Sequence, residues 1–159
     1  MIYFLFAMER EAEMLNAPNK HVIGINATDV PHTTDEDVII NIGYCGGYKM
    51  PVGAIVEPSF VINANTLDII RIDSAFDKVS SAVCVTADSF VTEPISDATC
   101  VYDMELFKLA QLPHKRIHSL KIVSDNLNEK QCEAYVGAET WNFVQEIINK
   151  YLERNNEII

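Results

Sequence analysis

Four stretches of the chain share one pattern, a largely apolar run followed at once by polar or glycine residues. Ile2 to Ala7 leads into Met8-Glu9-Arg10-Glu11, and Val38 to Ile42 leads into Gly43-Tyr44-Cys45-Gly46-Gly47. Ala82 to Val85 leads into Thr86-Ala87-Asp88-Ser89-Phe90, and Ile117 to Val123 leads into Ser124-Asp125-Asn126. Runs rich in Val and Ile without strict alternation predict strands covered on both faces. If the four strands are parallel, their polar tips converge on one rim, which in an open α/β sheet faces the ligand crevice.

The intervening segments predict the remaining elements. Met8 to Leu15 reads as a short helix with Met8, Ala12 and Leu15 on one face. Pro18 marks a turn before Val22-Ile23-Gly24-Ile25, and Ala27 to Asp37 reads as a surface loop. Val52 to Ile62 reads as one or two strands broken at Pro58, and Leu67 to Ile72 as an antiparallel edge strand. Asp103 is placed to cap a helix running from Met104 toward Leu112, with Pro113 stopping it. From Asn128 to about Arg154 the pattern is that of one long helix, with Ala138, Trp141, Val144, Ile148 and Tyr151 forming a buried stripe. No repeat or linker divides the chain, so residues 1–159 are expected to form a single α/β domain.

Composition narrows the function classes. At 159 residues, 48% hydrophobic and 22% charged, the chain suits one packed globular domain. The net charge of −11, from 12 basic and 23 acidic residues with no basic stripe, argues against nucleic acid and anionic membrane as partners. Cys45, Cys84, Cys100 and Cys132 form no Cys-x-x-Cys pair, and no histidine stands at a zinc-ligand spacing. The expectation is a reduced, cytoplasmic protein without a structural metal. The apolar start lacks a basic leader and is interrupted by Glu9, Arg10 and Glu11, so it reads as a first strand rather than a signal peptide or membrane span.

Candidate chemistry resides in the carboxylates of the rim: Glu9 or Glu11, Asp88, Glu105 and Asp125. A carboxylate held against apolar walls has a raised pKa and can serve as acid or base near neutrality. Structural readings stand beside each. Glu9, Glu11 and Glu13 suit the solvated face of a helix start, and Asp125 suits a cap for the turn before Asn128. Met104 and Phe90 suit a core, Ser124 a turn, and the Gly43 to Gly47 loop a tight strand exit.

Taken together and in order, the motifs carry more. Phe6-Ala7-Met8-Glu9-Arg10-Glu11, Asn41-Ile42-Gly43-Tyr44-Cys45-Gly46-Gly47, Val52-Gly53-Ala54-Ile55-Val56, Ala87-Asp88-Ser89-Phe90-Val91, Asp103-Met104-Glu105 and Val123-Ser124-Asp125 resemble successive signatures of the purine nucleoside phosphorylase superfamily. The nearest branch in wording is the 5'-methylthioadenosine/S-adenosylhomocysteine nucleosidases. The resemblance implies a three-layer phosphorylase-like fold with a mixed, largely buried central sheet. It implies cleavage of the N-glycosidic bond of a purine nucleoside or 5'-modified adenosine, without cofactor, by a homo-oligomer, in this branch a dimer.

Residue by residue, the resemblance makes Asp125 the acid at the purine N7, with Ser124 orienting it. Glu105 would hold the ribose hydroxyls, Met104 the sugar face, Phe90 the base by stacking and Val91 the base edge through its backbone. Glu11 would position and activate the attacking water, and Gly46 would allow close approach. This chain is shorter than the family pattern between Glu11 and Asn41 and between Ile62 and Ala82. Tyr44 stands where a small hydroxyl residue is usual, and Ala87 where a glycine is. No arginine is placed in a glycine-rich loop to bind phosphate, which favours water as the nucleophile. Phosphorolysis and non-catalytic nucleoside binding are the alternatives.

Overall fold

The computed structural model describes residues 1–155. In chain order its elements are β1 (Ile2–Phe6), α1 (Glu9–Ala12), β2 (Lys20–Val22), β3 (Val38–Tyr48), β4 (Ile55–Asn63), β5 (Ile69–Arg71), β6 (Ser80–Thr86), β7 (Cys100–Asp103), α2 (Leu106–Ala110), β8 (Arg116–Asp125), α3 (Glu129–Ala134) and α4 (Ala138–Arg154). The sheet is mixed and closes on itself. β3 pairs with β8, β8 with β4, β4 with β6, β6 with β7, and β7 returns to β3, while β1 and β2 extend outward from β3 and β5 from β4. β5 is the antiparallel edge strand expected from Leu67 to Ile72.

The axis of this ring is the long parallel pair β3 and β8, in register from Val38 opposite Arg116 to Cys45 opposite Val123, after which the register shifts by one residue and Gly46 meets Asp125. Alternation along β8 decides the two cores. Leu120 and Ile122 pack with Trp141, Val144, Ile148 and Tyr151 of α4. Ile117 and Val123 point the other way, into the cluster that holds Leu106, Phe107 and Leu109 of α2. Helices therefore cover both sides of a largely buried sheet, as the resemblance implied.

Several expectations need correction. The four rim strands are not all parallel: β1, β3 and β8 run together, but β8 meets β4 antiparallel, and β6, parallel to β4, runs opposite to them. The rim still assembles, because the last three residues of β3 cross to pair with β7, setting Gly46 opposite Tyr102. Pro58 does not break its strand. β4 passes through it, and the register against β6 shifts between Pro58 and Phe60, a bulge that absorbs the missing N–H. The long C-terminal helix is two helices, α3 and α4. Gly137 between them has φ +68, where a Cβ would also run into the Tyr135 ring. The stripe from Trp141 to Tyr151 is buried as expected, but Ala138 is exposed. α2 likewise starts later than expected, at Leu106, although Asp103 still accepts from the Leu106 N–H at 2.8 Å.

Candidate active site

The ends of β1, β3, β7 and β8, with α1 and α3, enclose a cavity of about 300 Å³. Glu11, Gly46, Phe90, Met104, Glu105 and Asp125 line it, together with Met8, Arg10, Ile25, Tyr44, Asp103 and residues of α3. Two residues expected in the site stand apart. Val91 lines only a small side pocket of about 30 Å³ that opens beside Phe90 and Met104. Ser124 lies behind the wall, its hydroxyl 2.7 Å from Asp125 Oδ1. Asp88 is exposed and takes a hydrogen bond from the Asn65 amide at 2.6 Å, outside the cavity.

Glu11 is delivered by the turn that ends β1. Its carboxylate accepts the Met8 N–H at 2.8 Å and the Tyr44 N–H at 2.7 Å, so α1 and β3 fix it from two sides. It is 2% exposed, while Glu9 and Glu13 face solvent. Burial raises its pKa, against the lowering effect of these two hydrogen bonds and of the Lys121 charge. Gly43 exists for this carboxylate rather than for a ligand: a Cβ there would lie 2.6 Å from Glu11 Oε2.

Asp125 ends β8, fully buried, and its Oδ2 accepts from the Asn128 N–H at 3.2 Å. It both caps the turn and faces the cavity. A Cβ on Gly46 would come within 3.3 Å of Asp125 Oδ2, which keeps that wall bare.

Glu105 follows β7, and its Oε2 accepts from the Asn26 N–H at 3.0 Å. Burial and then the neighbouring Asp103 charge push its pKa up to about 7.

Beneath it lies a group that periodicity alone did not single out. Lys121 points inward from β8, 3.1 Å from Asp103, and both side chains are almost wholly enclosed. Asp103 Oδ1 also takes the Thr86 hydroxyl at 2.6 Å. Burial alone would raise Asp103, but Lys121, Thr86 and the Leu106 N–H hold it below the usual carboxylate range. The one available signal was a lysine within a strand, at a position sharing the inward face of Val123.

Arg10 is the only basic residue in the lining. Its guanidinium donates to the Tyr135 carbonyl at 2.9 Å and the Cys132 carbonyl at 3.1 Å, and lies 4.6 Å from the Tyr44 ring centre. It ties α1 to the end of α3. The Tyr44 hydroxyl donates to the Val136 carbonyl and accepts from Trp141 Nε1, so this tyrosine forms wall rather than free hydroxyl. All four cysteines are free thiols, and no cluster of three or more potential metal ligands occurs among the described residues. No helix among them is long and apolar enough to cross a membrane.

No protein-family model matches this sequence, and no curated protein sequence does. Solved structures do. A variant of MTAN from Chlamydia trachomatis bound to MTA matches with a TM-score of 0.74 at 15% identity, over 96% of this chain and 97% of that one. The fold is that of the nucleosidases. Apo 5'-methylthioadenosine nucleosidase of Arabidopsis thaliana matches at a TM-score of 0.70 and 15% identity, over 94% and 95% of the two chains. A futalosine hydrolase mutant of Helicobacter pylori matches at 0.69 and 12%, over 94% and 98%. The nucleosidase fold is thus present nearly end to end, despite the short segments after Glu11 and Ile62.

Proposed function

We propose that this chain hydrolyses the N-glycosidic bond of a purine nucleoside or 5'-modified adenosine. The observation that carries the reading is one cavity whose lining holds, besides the Lys121-paired Asp103, the buried carboxylates Glu11, Glu105 and Asp125, each arriving from a different element beside Phe90 and Met104. Cleavage at an oxocarbenium-like centre requires an acid on the leaving-group side and a base on the other, as in glycosidases.

In this reading Asp125 donates its proton to the purine N7, and the Ser124 hydroxyl holds it in orientation. Glu11 accepts a proton from the attacking water, and its burial makes it a stronger base than an exposed glutamate. Glu105 in its ionised form takes two ribose hydroxyls, Met104 packs on the sugar, and Phe90 stacks on the base, whose edge meets the backbone near Val91. Gly46 leaves room for the ring beside Asp125.

Water is favoured over phosphate as nucleophile. The only cation in the lining, Arg10, already donates to two carbonyls, and every other charged lining residue is acidic. The solved structures of the same fold support the substrate class, since one is described as bound to MTA and others are nucleosidases. A homodimer in the cytoplasm completes the reading, and light scattering tests the dimer.

The deciding experiment is base release, followed by chromatography, from methylthioadenosine, S-adenosylhomocysteine, adenosine, inosine and AMP, each with and without phosphate. Release without phosphate is expected. Release only with phosphate would make the protein a phosphorylase, and binding without release across the panel would make it a nucleoside-binding protein.

A further inference from the structure

A second cavity, of about 370 Å³, lies at the opposite end of β8 from Asp125. His118 stands near the start of that strand, roughly 23 Å from Asp125 at about 3.3 Å per residue. Alternation builds the floor: Arg116 and His118 fall on the same face of β8 as Leu120 and Ile122, the face that α4 covers. The end of α4 adds Tyr151 and Arg154, and residues 73–75 close the side.

Two of these side chains are buried yet keep a polar atom unpaired. His118 is 3% exposed and Tyr151 5%. His118 Nδ1 lies 2.7 Å from the Asp73 carbonyl, which can only accept, so Nδ1 carries the proton and Nε2 of the neutral ring presents a lone pair. Burial favours that neutral form, holding the imidazole below its ordinary pKa. Neither Nε2 nor the Tyr151 hydroxyl has a protein partner among the described residues. Neither is sealed in, because Asn26 Oδ1 is the one enclosed side-chain atom there left without a partner, so both open onto the cavity that their residues line. Arg116 joins no ion pair among the described residues, while Arg154 is held by Asp77 at 2.7 Å and the Ala75 carbonyl at 3.0 Å. Two guanidiniums thus meet one lining carboxylate, Asp73, in a chain of net charge −11.

We infer that this cavity binds a phosphate group, free or as a monoester, with Arg116 and the Tyr151 hydroxyl donating to its oxygens and His118 Nε2 accepting from its P–OH. One acceptor among donors is what selects the ligand. Near neutral pH part of a phosphate population keeps a proton, and such an anion offers a donor as well as acceptors. Sulfate and carboxylates offer acceptors alone and would set an oxygen lone pair against that of Nε2. At this distance from Glu11 and Asp125 the bound phosphate is no nucleophile for the proposed reaction, so the site is independent of the nucleoside reading.

The test is titration calorimetry of the full chain at pH 6.5 and constant ionic strength with inorganic phosphate, glycerol 3-phosphate, sulfate and acetate. Phosphate is expected to bind about tenfold tighter than sulfate, its equal in shape, which is the margin of one added hydrogen bond. Acetate should be weaker than phosphate. Arg116→Gln should weaken phosphate about fivefold or more, and Tyr151→Phe, which removes the hydroxyl alone, about threefold. Arg116 is exposed, so its variant should melt with its parent, and base release by both variants should match the wild type. Phosphate should also shift the His118 Nε2 signal in a nitrogen-15 spectrum. Tighter binding of glycerol 3-phosphate than of phosphate would support the site with a monoester as its ligand, and the reverse order would support it with free phosphate. Sulfate binding as tightly as phosphate, phosphate affinity that survives both substitutions, or no phosphate binding at all would overturn the inference and leave the nucleoside reading standing.

Discussion

Replacing Glu105 by Gln separates the stability of this fold from its proposed activity. Glu105 is 6% exposed, and burial and the Asp103 charge push its pKa from an ordinary 4.5 to about 7. The folded state thus holds this proton more tightly than the unfolded chain does, so between these two values folding takes up a proton. Stability falls as pH rises through that window, and above pH 7 the folded protein carries the full cost of the buried charge. The gap corresponds to on the order of 3 kcal/mol. Glutamine removes the charge and keeps an oxygen to accept the Asn26 N–H. At pH 8 the variant should melt roughly 6–10 °C above the wild type, at about 3 °C per kcal/mol for a domain of this size. At pH 5, where Glu105 is largely protonated, the two should melt nearly together. Base release should fall about a hundredfold, because a neutral amide loses charge-assisted hydrogen bonds to the ribose hydroxyls. Calorimetric melting of both proteins at both pH values reads the first effect, and steady-state kinetics the second. A variant less stable than wild type at pH 8, or one with the same increment at both pH values, would refute the reasoning.

The same protonation gives the wild type an acid limb: kcat/KM should drop about tenfold between pH 8 and pH 6, and the drop should be absent from the residual activity of Glu105→Gln. Gly43→Ala places a Cβ 2.6 Å from Glu11 Oε2 and must displace that carboxylate, so kcat should fall about ten- to a hundredfold, read by base release alongside an unchanged far-ultraviolet circular dichroism spectrum. Lys121→Met leaves Asp103 buried without its partner and should cost about 3–5 kcal/mol in urea unfolding; a loss below 1 kcal/mol would show that the pair contributes little. Asp125→Asn should abolish turnover with nucleoside binding largely intact, and unchanged base release would remove Asp125 from the acid role.

Much of this architecture is legible in local pattern. The apolar runs at Ile2, Val38, Ala82 and Ile117 are strands, and the polar ends of three of them carry Glu11, Gly46 and Asp125 to one cavity. Local pattern works there because covering a strand on both faces demands apolar residues regardless of what it pairs with. It also marks the stripe of α4, since burying one helical face demands three- and four-residue spacing.

Pairing partners and strand directions are another matter, because they depend on residues far apart in the chain. Nothing near Ala82 indicates that β6 runs opposite to β3, and nothing near Gly46 indicates that β3 bends across to meet Tyr102 of β7. The closed ring follows from those pairings. So does the burial of Lys121 against Asp103, two residues that look like surface charges until the ring encloses them. Burial, which raises the pKa of Glu105 and Glu11, and the neighbouring Asp103 charge, which raises Glu105 further, are likewise properties of the assembled cavity. The chain by itself determines which residues arrive at strand ends; the tertiary structure decides which of them lose water and face one another, and desolvation at close range is what makes ordinary carboxylates candidates for acid–base chemistry.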